Sequence, residues 1–498
     1  IDFRKAFDSV NHTLLWNKLF SYGISAKWIR ILEGLYGLSS LRVKVGNSYT
    51  EEVSVCRGVL QGDTISPLLF AIFINDLDQF LLNNNCSPVS LDHRTGVAAL
   101  LYADDVILLS DTAVEAQRKL TALERYCSLN DLQVNVSKSK MLIFKKGRTK
   151  KSKEAFYYNG APLEIVATQK YLGITFSNSG VFLAASKDMI SKSVVAMNML
   201  RGACTKSKLN SWPSLLRLFE STVCSVLLYS CELWALRYCD QIEIIQSKFF
   251  KSLFFWPINT PSYMIRLETG QIRLKLIVFK SAISWLIKLL NMPNNRFPKV
   301  GFDKLLSLDK SSSNSVKHNW VSQLKCLFIE AGHGHVWNNL DVTHLKSNKH
   351  KILNDYRAVL YNYDCNRAAN SSFSALFNSI RYIDCHNFYL SANAPYAMKR
   401  VISQLRLASG KNLRVYIDNT KYTINLDESC KLCHQYVENL HHLFWSCPFY
   451  GHFRIKYINK YVFRNVNELL YITNVEQIYD IFYFVCNFLK LRSFLLNE

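Results

Sequence analysis

The sequence predicts an α+β domain over its first 176 residues and a mainly helical remainder. Three observations carry that prediction. Strand-like alternation and helical spacing interleave as far as Phe176, strand signals fade after Ser186, and cysteines and a histidine cluster near the end. At 498 residues and 49% apolar composition the chain is long enough for roughly three domains with real cores. Scarce Gly (18) and Pro (10), with 13% aromatics, exclude a collagenous or mainly disordered chain.

The elements follow in order. From Asn11 to Tyr36 apolar residues recur at helical spacing, with Gly23 and the N-cap candidate Ser25 dividing them into a helical hairpin. Leu41, Val43 and Val45 alternate with basic residues, Gly46-Asn47 turns the chain, and a β-hairpin ends near Val55. Ser66-Pro67 reads as an N-cap and N1 pair opening a helix over Leu68 to Leu82, behind an exposed loop containing Gly62. Apolar runs Val97 to Tyr102 and Val106 to Leu109 flank Ala103-Asp104-Asp105, which puts two acids at a hairpin tip. A helix with Leu120, Leu123 and Cys127 on one face follows, then strands at Gln133 to Val136, Met141 to Phe144, Phe156 to Tyr158 and Tyr171 to Phe176. Helical patterns dominate to about Asn291. From Met292 to about Lys349 the composition turns to Ser, Asn, Lys and His, with Ser311-Ser312-Ser313-Asn314 as the clearest loop.

Sixty Lys plus Arg against 38 Asp plus Glu give a net charge of +22, which points to a polyanionic partner. Residues 138 to 153 hold eight basic residues and no acid, a loop that either contacts phosphates or is simply solvated. Arg201, Lys206 and Lys208 could line a duplex track through phosphate contacts that set register. The apolar stretches Val223 to Leu236 and Leu274 to Leu290 carry charges and are too short to span a membrane. Fourteen cysteines without a regular framework suggest a reducing, intracellular setting. The opening Ile1-Asp2-Phe3 reads as the middle of a strand, so a fragment is expected.

Adjacent aspartates raise one another's pKa unless a cation neutralises them. Asp104 and Asp105, with Asp2 from a neighbouring strand, would make a three-carboxylate set suited to Mg²⁺. On spacing alone an ordinary polar turn between strands is the better explanation of Asp104-Asp105. Several segments in order, however, resemble the reverse transcriptases of non-LTR (LINE-type) retrotransposons. Asp2-Phe3-Arg4-Lys5-Ala6-Phe7-Asp8 resembles their first catalytic motif, Arg57-Gly58-Val59-Leu60-Gln61-Gly62-Asp63 through Ser66-Pro67 the second, and Tyr102-Ala103-Asp104-Asp105 the third. Asn135 to Lys140 resembles the fourth motif, and Lys170-Tyr171-Leu172-Gly173 the primer grip. Leu228-Tyr229-Ser230-Cys231-Glu232-Leu233-Trp234 is similar to a stretch typical of these elements.

The resemblance implies a right-hand polymerase palm, an antiparallel sheet with helices, over residues 1–180 with its fingers missing. A helical thumb and the start of a connector would occupy 181–291, a linker 292–425, and a zinc knuckle with C-terminal helices 426–498. It implies that Asp2, Asp104 and Asp105 hold two Mg²⁺ ions and that Phe7 excludes a ribose 2′-hydroxyl, although Phe7 reads equally as a core aromatic. Gln61 and Gly62 would contact the incoming nucleotide and template, Tyr171, Leu172 and Gly173 the primer. Lys138 would be the general acid, with Lys140 two residues away as its rival.

Cys430-x2-Cys433-x8-His442-x4-Cys447 supplies three thiolates and one imidazole within 18 residues, the donor set of a closed tetrahedral Zn²⁺ site. His434 and His441 are rival ligands, and the resemblance favours His442 through its His-x4-Cys interval. Lys431, Tyr436, Phe444 and Trp445 would grip template RNA beside it. The implied function is RNA-directed DNA synthesis from dNTPs on template RNA and a DNA primer or target, within a ribonucleoprotein of nucleus and cytoplasm and with no membrane partner. The alternative is a non-catalytic nucleic-acid-binding remnant of a retrotransposon polyprotein. An intron maturase or telomerase-like polymerase fits less well, because the Cys/Cys/His/Cys set downstream of the thumb suits retrotransposons better.

Overall fold

The computed structural model describes residues 1–145, 154–207, 209–311, 316–380 and 387–497. Lys208, residues 146–153 of the basic stretch and residues 312–314 of the polar loop lie outside them. Two compact units result, one of residues 1–181 with 292–311 and one of 182–291 with 312–498.

The first unit is built on a hairpin, Ala99–Tyr102 against Asp105–Leu108, in which Tyr102 pairs with Asp105. Residues 1–3 extend it: Asp2 bridges Asp105 and Phe3 bridges Val134, both antiparallel. Behind this sheet pack the helices His12–Ser21, Ser66–Ile74, Leu77–Asn83 and Ala113–Leu129, whose Leu15, Phe70, Leu77, Leu123 and Tyr126 share one core with Phe3. Thr112 caps the last of these by accepting from the Glu115 amide at 3.2 Å.

The helix expected over Leu68 to Leu82 is two, broken at Asn75-Asp76. The Phe73 carbonyl, which an unbroken helix would satisfy from its next turn, accepts instead from the Lys18 ammonium at 2.7 Å and the Tyr126 hydroxyl at 3.4 Å. Both donors also hold the Asp76 carboxylate, at 2.8 and 2.6 Å. Burial lowers the Lys18 pKa and raises that of Tyr126. Ser66 is the first helical residue and not the cap; its buried hydroxyl lies 3.3 Å from that of Tyr36. The strand expected over Tyr171 to Phe176 is a hairpin, Thr168–Tyr171 against Ile174–Ser177, turning at Leu172 (φ 45°) and Gly173 (φ 83°). Both residues have positive φ, as a two-residue type I′ turn requires. Of the strand expected at Gln133 to Val136 only the Val134 bridge is present.

The second unit is mainly helical. Its long helices include Leu183–Lys206, Cys239–Phe254, Lys275–Leu290, Val342–Ala369 and Val475–Leu496. Arg406, fully buried, ties distant segments together by donating to Glu268 at 2.7 Å, to Asn387 Oδ1 at 2.9 Å and to the carbonyls of Ile380 and Leu470. The polar stretch after Met292 holds the helices Phe297–Asp309, in the first unit, and Trp320–Glu330, in the second, because Val300, Phe302, Leu324 and Phe328 keep helical apolar spacing within it. A β-hairpin unforeseen from the sequence, Asn412–Ile417 against Thr420–Asn425, turns at Asp418 and Asn419, both at positive φ. Among the described residues no helix is long and apolar enough to cross a membrane.

Gly58 shows how tightly the first unit closes. It sits at φ 87°, and a Cβ there would lie 2.8 Å from the Asp8 Cα and 2.9 Å from the Asp8 carbonyl oxygen. Gly62, at φ 97°, has open space around it. Gly58→Ala should therefore cost at least about 2 kcal/mol, from left-handed strain plus a backbone clash, and Gly62→Ala only about 1 kcal/mol from strain. Thermal unfolding midpoints test the order; an equal or larger drop for Gly62→Ala would contradict it.

Candidate catalytic and metal-binding sites

Backbone pairing assembles the carboxylates. Ile1 exchanges hydrogen bonds with Val106, its terminal amine donating at 2.8 Å and its carbonyl accepting at 3.3 Å. On the other side the Asp2 carbonyl accepts from the Asn135 amide at 2.8 Å, and Arg4 donates to Gln133 at 2.7 Å. The Asp2 amide donates to the buried Ser139 hydroxyl at 3.0 Å. Asp2 is thus held directly opposite Asp105 on the neighbouring strand. Asp104 is exposed in the turn beside it, next to Ala103, which takes φ 50°. A left-handed alanine costs about 1 kcal/mol, and such strain is characteristic of functional turns.

Burial raises the Asp105 pKa, and the negative charges of Asp104 and Asp2 raise it further. Two carboxylates facing across strands with a third next door are a destabilising arrangement unless a cation joins them. The side chains do not form a closed cage: among the described residues only one other group of three or more potential ligands has its donor atoms drawn together. An open carboxylate set is what Mg²⁺ requires where substrate phosphates and water complete its shell. Carboxylate oxygens are the donor type that suits that ion, and backbone pairing places two of them on facing strands.

Tyr171 lies close enough to the hairpin tip that, after burial, Asp105 and Tyr102 raise its pKa. Leu172 and Gly173 form the turn just beyond it, with Leu172 exposed. Phe7 is half-buried and stacks on Phe70 at 4.8 Å, and its carbonyl accepts from the Val59 amide at 2.8 Å. Gln61 and Gly62 are exposed, and Gln61 Nε2 donates to Asp8 Oδ1 at 3.1 Å. Asp8, not singled out from the sequence, therefore orients Gln61 and receives the close approach of Gly58. Its place six residues after Asp2, in the same motif, is the signal that could have marked it.

The rival lysines differ. Lys140 pairs with Glu164 at 2.6 Å and donates to the Ser137 carbonyl, also at 2.6 Å. Lys138 is exposed. In the second unit Arg201 and Lys206 are exposed on the helix Leu183–Lys206.

The other group of ligands is Cys430, Cys433, His442 and Cys447, whose donor atoms all lie within 4.8 Å of one another. Cys430 and Cys447 sulfurs are 4.0 Å apart, and Cys433 Sγ is 3.3 Å from His442 Nε2. Local hydrogen bonds shape the loop: His434 N donates to the Cys430 carbonyl at 2.9 Å, and Cys430 N to the Tyr436 carbonyl at 2.8 Å. The Asn439 side chain caps the His442 amide at 2.8 Å. Burial pushes the Cys447 thiol up to about 12 and lowers the His442 pKa, so the imidazole stays in its neutral, ligating form. Arg492 on the last helix pairs with buried Glu438 at 2.9 Å, anchoring the cluster to Val475–Leu496. His434 and His441 are exposed and outside the four. The donor set and spacing fit a tetrahedral metal ion. Phe444, expected to stack on bases, is instead fully buried against Phe484 and Phe488, whereas Tyr436 is 61% exposed.

Residues 1–176 match the family model described as reverse transcriptase (RNA-dependent DNA polymerase). The chain is 30% identical over 187 residues to a retrovirus-related Pol polyprotein from the type-1 retrotransposable element R2 of Popillia japonica, covering 36% of this chain and 31% of that protein. A counterpart from Nasonia vitripennis is 28% identical over 188 residues, 36% of this chain and 18% of its own length. A probable RNA-directed DNA polymerase from transposon BS of Drosophila melanogaster is 25% identical over 262 residues, 51% of this chain and 28% of its own. The chain thus spans less than a third of the length of each of these relatives.

The facing aspartates make a stability prediction. An acid whose pKa is raised by folding destabilises the fold once ionised, so stability falls as pH rises from the ordinary value of 3.8 through the raised one. In chelator at neutral pH, Asp105→Asn should raise stability by about 0.5–1 kcal/mol. The gain should vanish below pH 3.8, where the carboxyl is protonated in both states. Unfolding followed at the two pH values checks this; destabilisation at neutral pH would contradict it.

Proposed function

We propose that residues 1–176, which match the reverse transcriptase family model, are a reverse transcriptase domain of the non-LTR retrotransposon type, and that the chain adds deoxynucleotides to a primer 3′-hydroxyl on an RNA template. The observation that carries this reading is the Asp2–Asp105 pair beside Asp104, an open carboxylate set inside a domain of that family. Asp2, Asp104 and Asp105 would hold two Mg²⁺ ions. When bound, such ions activate the attacking hydroxyl and neutralise charge on the leaving oxygen.

The chain's own residues do the rest. Phe7, fixed by its stack on Phe70, is a wall against a ribose 2′-hydroxyl and so selects deoxynucleotides. Gln61, oriented by Asp8, contacts the incoming nucleotide and template, while Gly62 leaves room for close approach. Tyr171, Leu172 and Gly173, in the hairpin turn next to Asp105, grip the primer end. Lys138 donates a proton to the departing pyrophosphate, or neutralises it, because Lys140 is engaged by Glu164. In this reading residues 1–180 are the palm, the helices of 181–291 the thumb, 292–425 a linker, and 426–498 a module ordered by one structural Zn²⁺ on Cys430, Cys433, His442 and Cys447. Exposed Tyr436 and Lys431 in that module would contact RNA. The assembly would act as a ribonucleoprotein in nucleus and cytoplasm.

Primer extension on an RNA template with Mg²⁺ tests the polymerase. Asp104→Asn should lower the rate at least about 100-fold and Lys138→Ala by about 100-fold, whereas Lys140→Ala should change it only a few fold. Phe7→Val should raise ribonucleotide incorporation relative to deoxynucleotide. Extension by Asp104→Asn at the wild-type rate would sink the proposal, and RNA binding without any extension would favour the non-catalytic remnant. For the zinc module, metal analysis of the purified chain should find one Zn²⁺, lost in Cys433→Ser and retained in His434→Ala and His441→Ala. Zinc retention by Cys433→Ser would overturn that ligand set.

A further inference from the structure

The helices Ser262–Thr269 and Val342–Ala369 of the second unit run side by side and are joined by a buried ion pair near the C-terminal end of the longer one. Arg266 donates to both oxygens of Asp364, at 2.7 and 2.8 Å, and Arg273 Nη2 reaches the same carboxylate at 3.4 Å. Two cavities open along this seam. One, of about 420 Å³, is lined by Arg266, Arg273, Arg357, Tyr361 and Asp364 among others; the next, of about 350 Å³, by Tyr263, Tyr363, Asn366, Arg367 and Asn370 among others.

The chemistry of the lining is that of an anion site with aromatic walls. Four arginines meet one aspartate, an excess of three positive charges. Arg273 Nε is buried and has no hydrogen-bond partner, a donor left over after the ion pair is made. Arg357 and Arg367 are exposed. Tyr363 is 48% exposed and braced by guanidinium groups, Arg273 at 4.6 Å and Arg367 at 6.0 Å from its ring centre, while Arg367 also lies 4.9 Å from Tyr263. Each cavity therefore combines arginine with tyrosine. From Asn354 to Arg367 the lined face of the long helix extends about 20 Å at the α-helical rise.

We infer that this seam is a binding site for single-stranded RNA, with Arg357, Arg367 and Arg273 on successive phosphates and Tyr363 and Tyr263 stacking unpaired bases. A guanidinium pairs with phosphate through parallel donors, and an aromatic ring accepts any base by its face. Arginine and tyrosine stand together in both cavities, so phosphate and base contacts are available in each. A duplex keeps its bases stacked inside and offers the tyrosines nothing. The site goes beyond the polymerase reading and does not depend on the aspartates.

The test uses the full chain and a fluorescent 12-nucleotide oligouridine, with a duplex of equal length beside it. Arg357→Glu with Arg367→Glu should weaken single-strand binding at least tenfold and make its dependence on log salt shallower by about 1.4, two phosphate contacts on a single strand. Tyr363→Ala should weaken it about tenfold with the salt slope unchanged. These positions are exposed, so circular dichroism and the thermal midpoint should match wild type. Photo-cross-linking of a 5-iodouridine 12-mer, mapped by mass spectrometry, should label Tyr263 or Tyr363. Wild-type affinity in the charge-reversed variant, equal losses for single strand and duplex, or cross-links only outside the seam would each overturn the inference. So would an acidic peptide that binds wild type but not the charge-reversed variant while oligouridine binds both equally, which would mark a protein-docking surface. Primer extension by Asp104→Asn separates the two readings, because that variant should keep full oligouridine binding at the seam.

Discussion

The pairing of residues 1–3 between the hairpin strand Asp105–Leu108 and the segment around Val134 is the constraint on which the first unit depends. It fixes Asp2 opposite Asp105, and the sheet must then carry like charges across adjacent strands. Backbone hydrogen bonds on both sides of Asp2, with the Ser139 hydroxyl on its amide, hold that geometry against the repulsion. The tight turn at Ala103 adds strain in the same place. Repulsion and strain therefore both reside in the fold at the hairpin tip.

Polar hubs serve comparable ends in the two units. In the first, Lys18, Asp76 and Tyr126 take over the Phe73 carbonyl and divide one apolar run into two helices. In the second, Arg406 gathers Glu268, Asn387 and two carbonyls from segments far apart in sequence. The Arg406 hub is fully buried and satisfies its charge internally, which is what burial of a charge demands, whereas Asp76 stays partly exposed. Breaking one partner would leave the other uncompensated, so these hubs specify which segments meet.

The Cys430 cluster and the seam at Asp364 illustrate opposite uses of polar side chains. The first closes its donors around a single point within 4.8 Å, with Glu438 and Arg492 anchoring it from outside. The second leaves Arg357 and Arg367 exposed along an open face, with one buried Arg273 donor unsatisfied behind them. A closed set suits a structural ion, an open one an extended polyanion.

By itself the sequence determined much about the chain. The order of the motifs from Asp2 to Gly173, the acids at a hairpin tip and the Cys/Cys/His/Cys spacing were all legible, because motif order and spacing are local properties of a chain. So was the change from mixed to helical patterning near Ser186. Only the tertiary structure decided the rest. The break at Asn75-Asp76 comes from donors 55 and 53 residues away from the Phe73 carbonyl. Lys140 is withdrawn by Glu164, and Phe444 by the last helix, through contacts that no local pattern records. The hairpin at Asn412–Asn425 did have a local signal, apolar alternation around Asp418-Asn419, obscured by the polar composition of its surroundings. Asp8 gained its role from Gly58 and Gln61, and the seam from two helices that meet through Arg266 and Asp364, 98 residues apart. Residue type and spacing state which chemistry is available; long-range packing and competition for hydrogen-bond partners decide which side chains are left free to perform it.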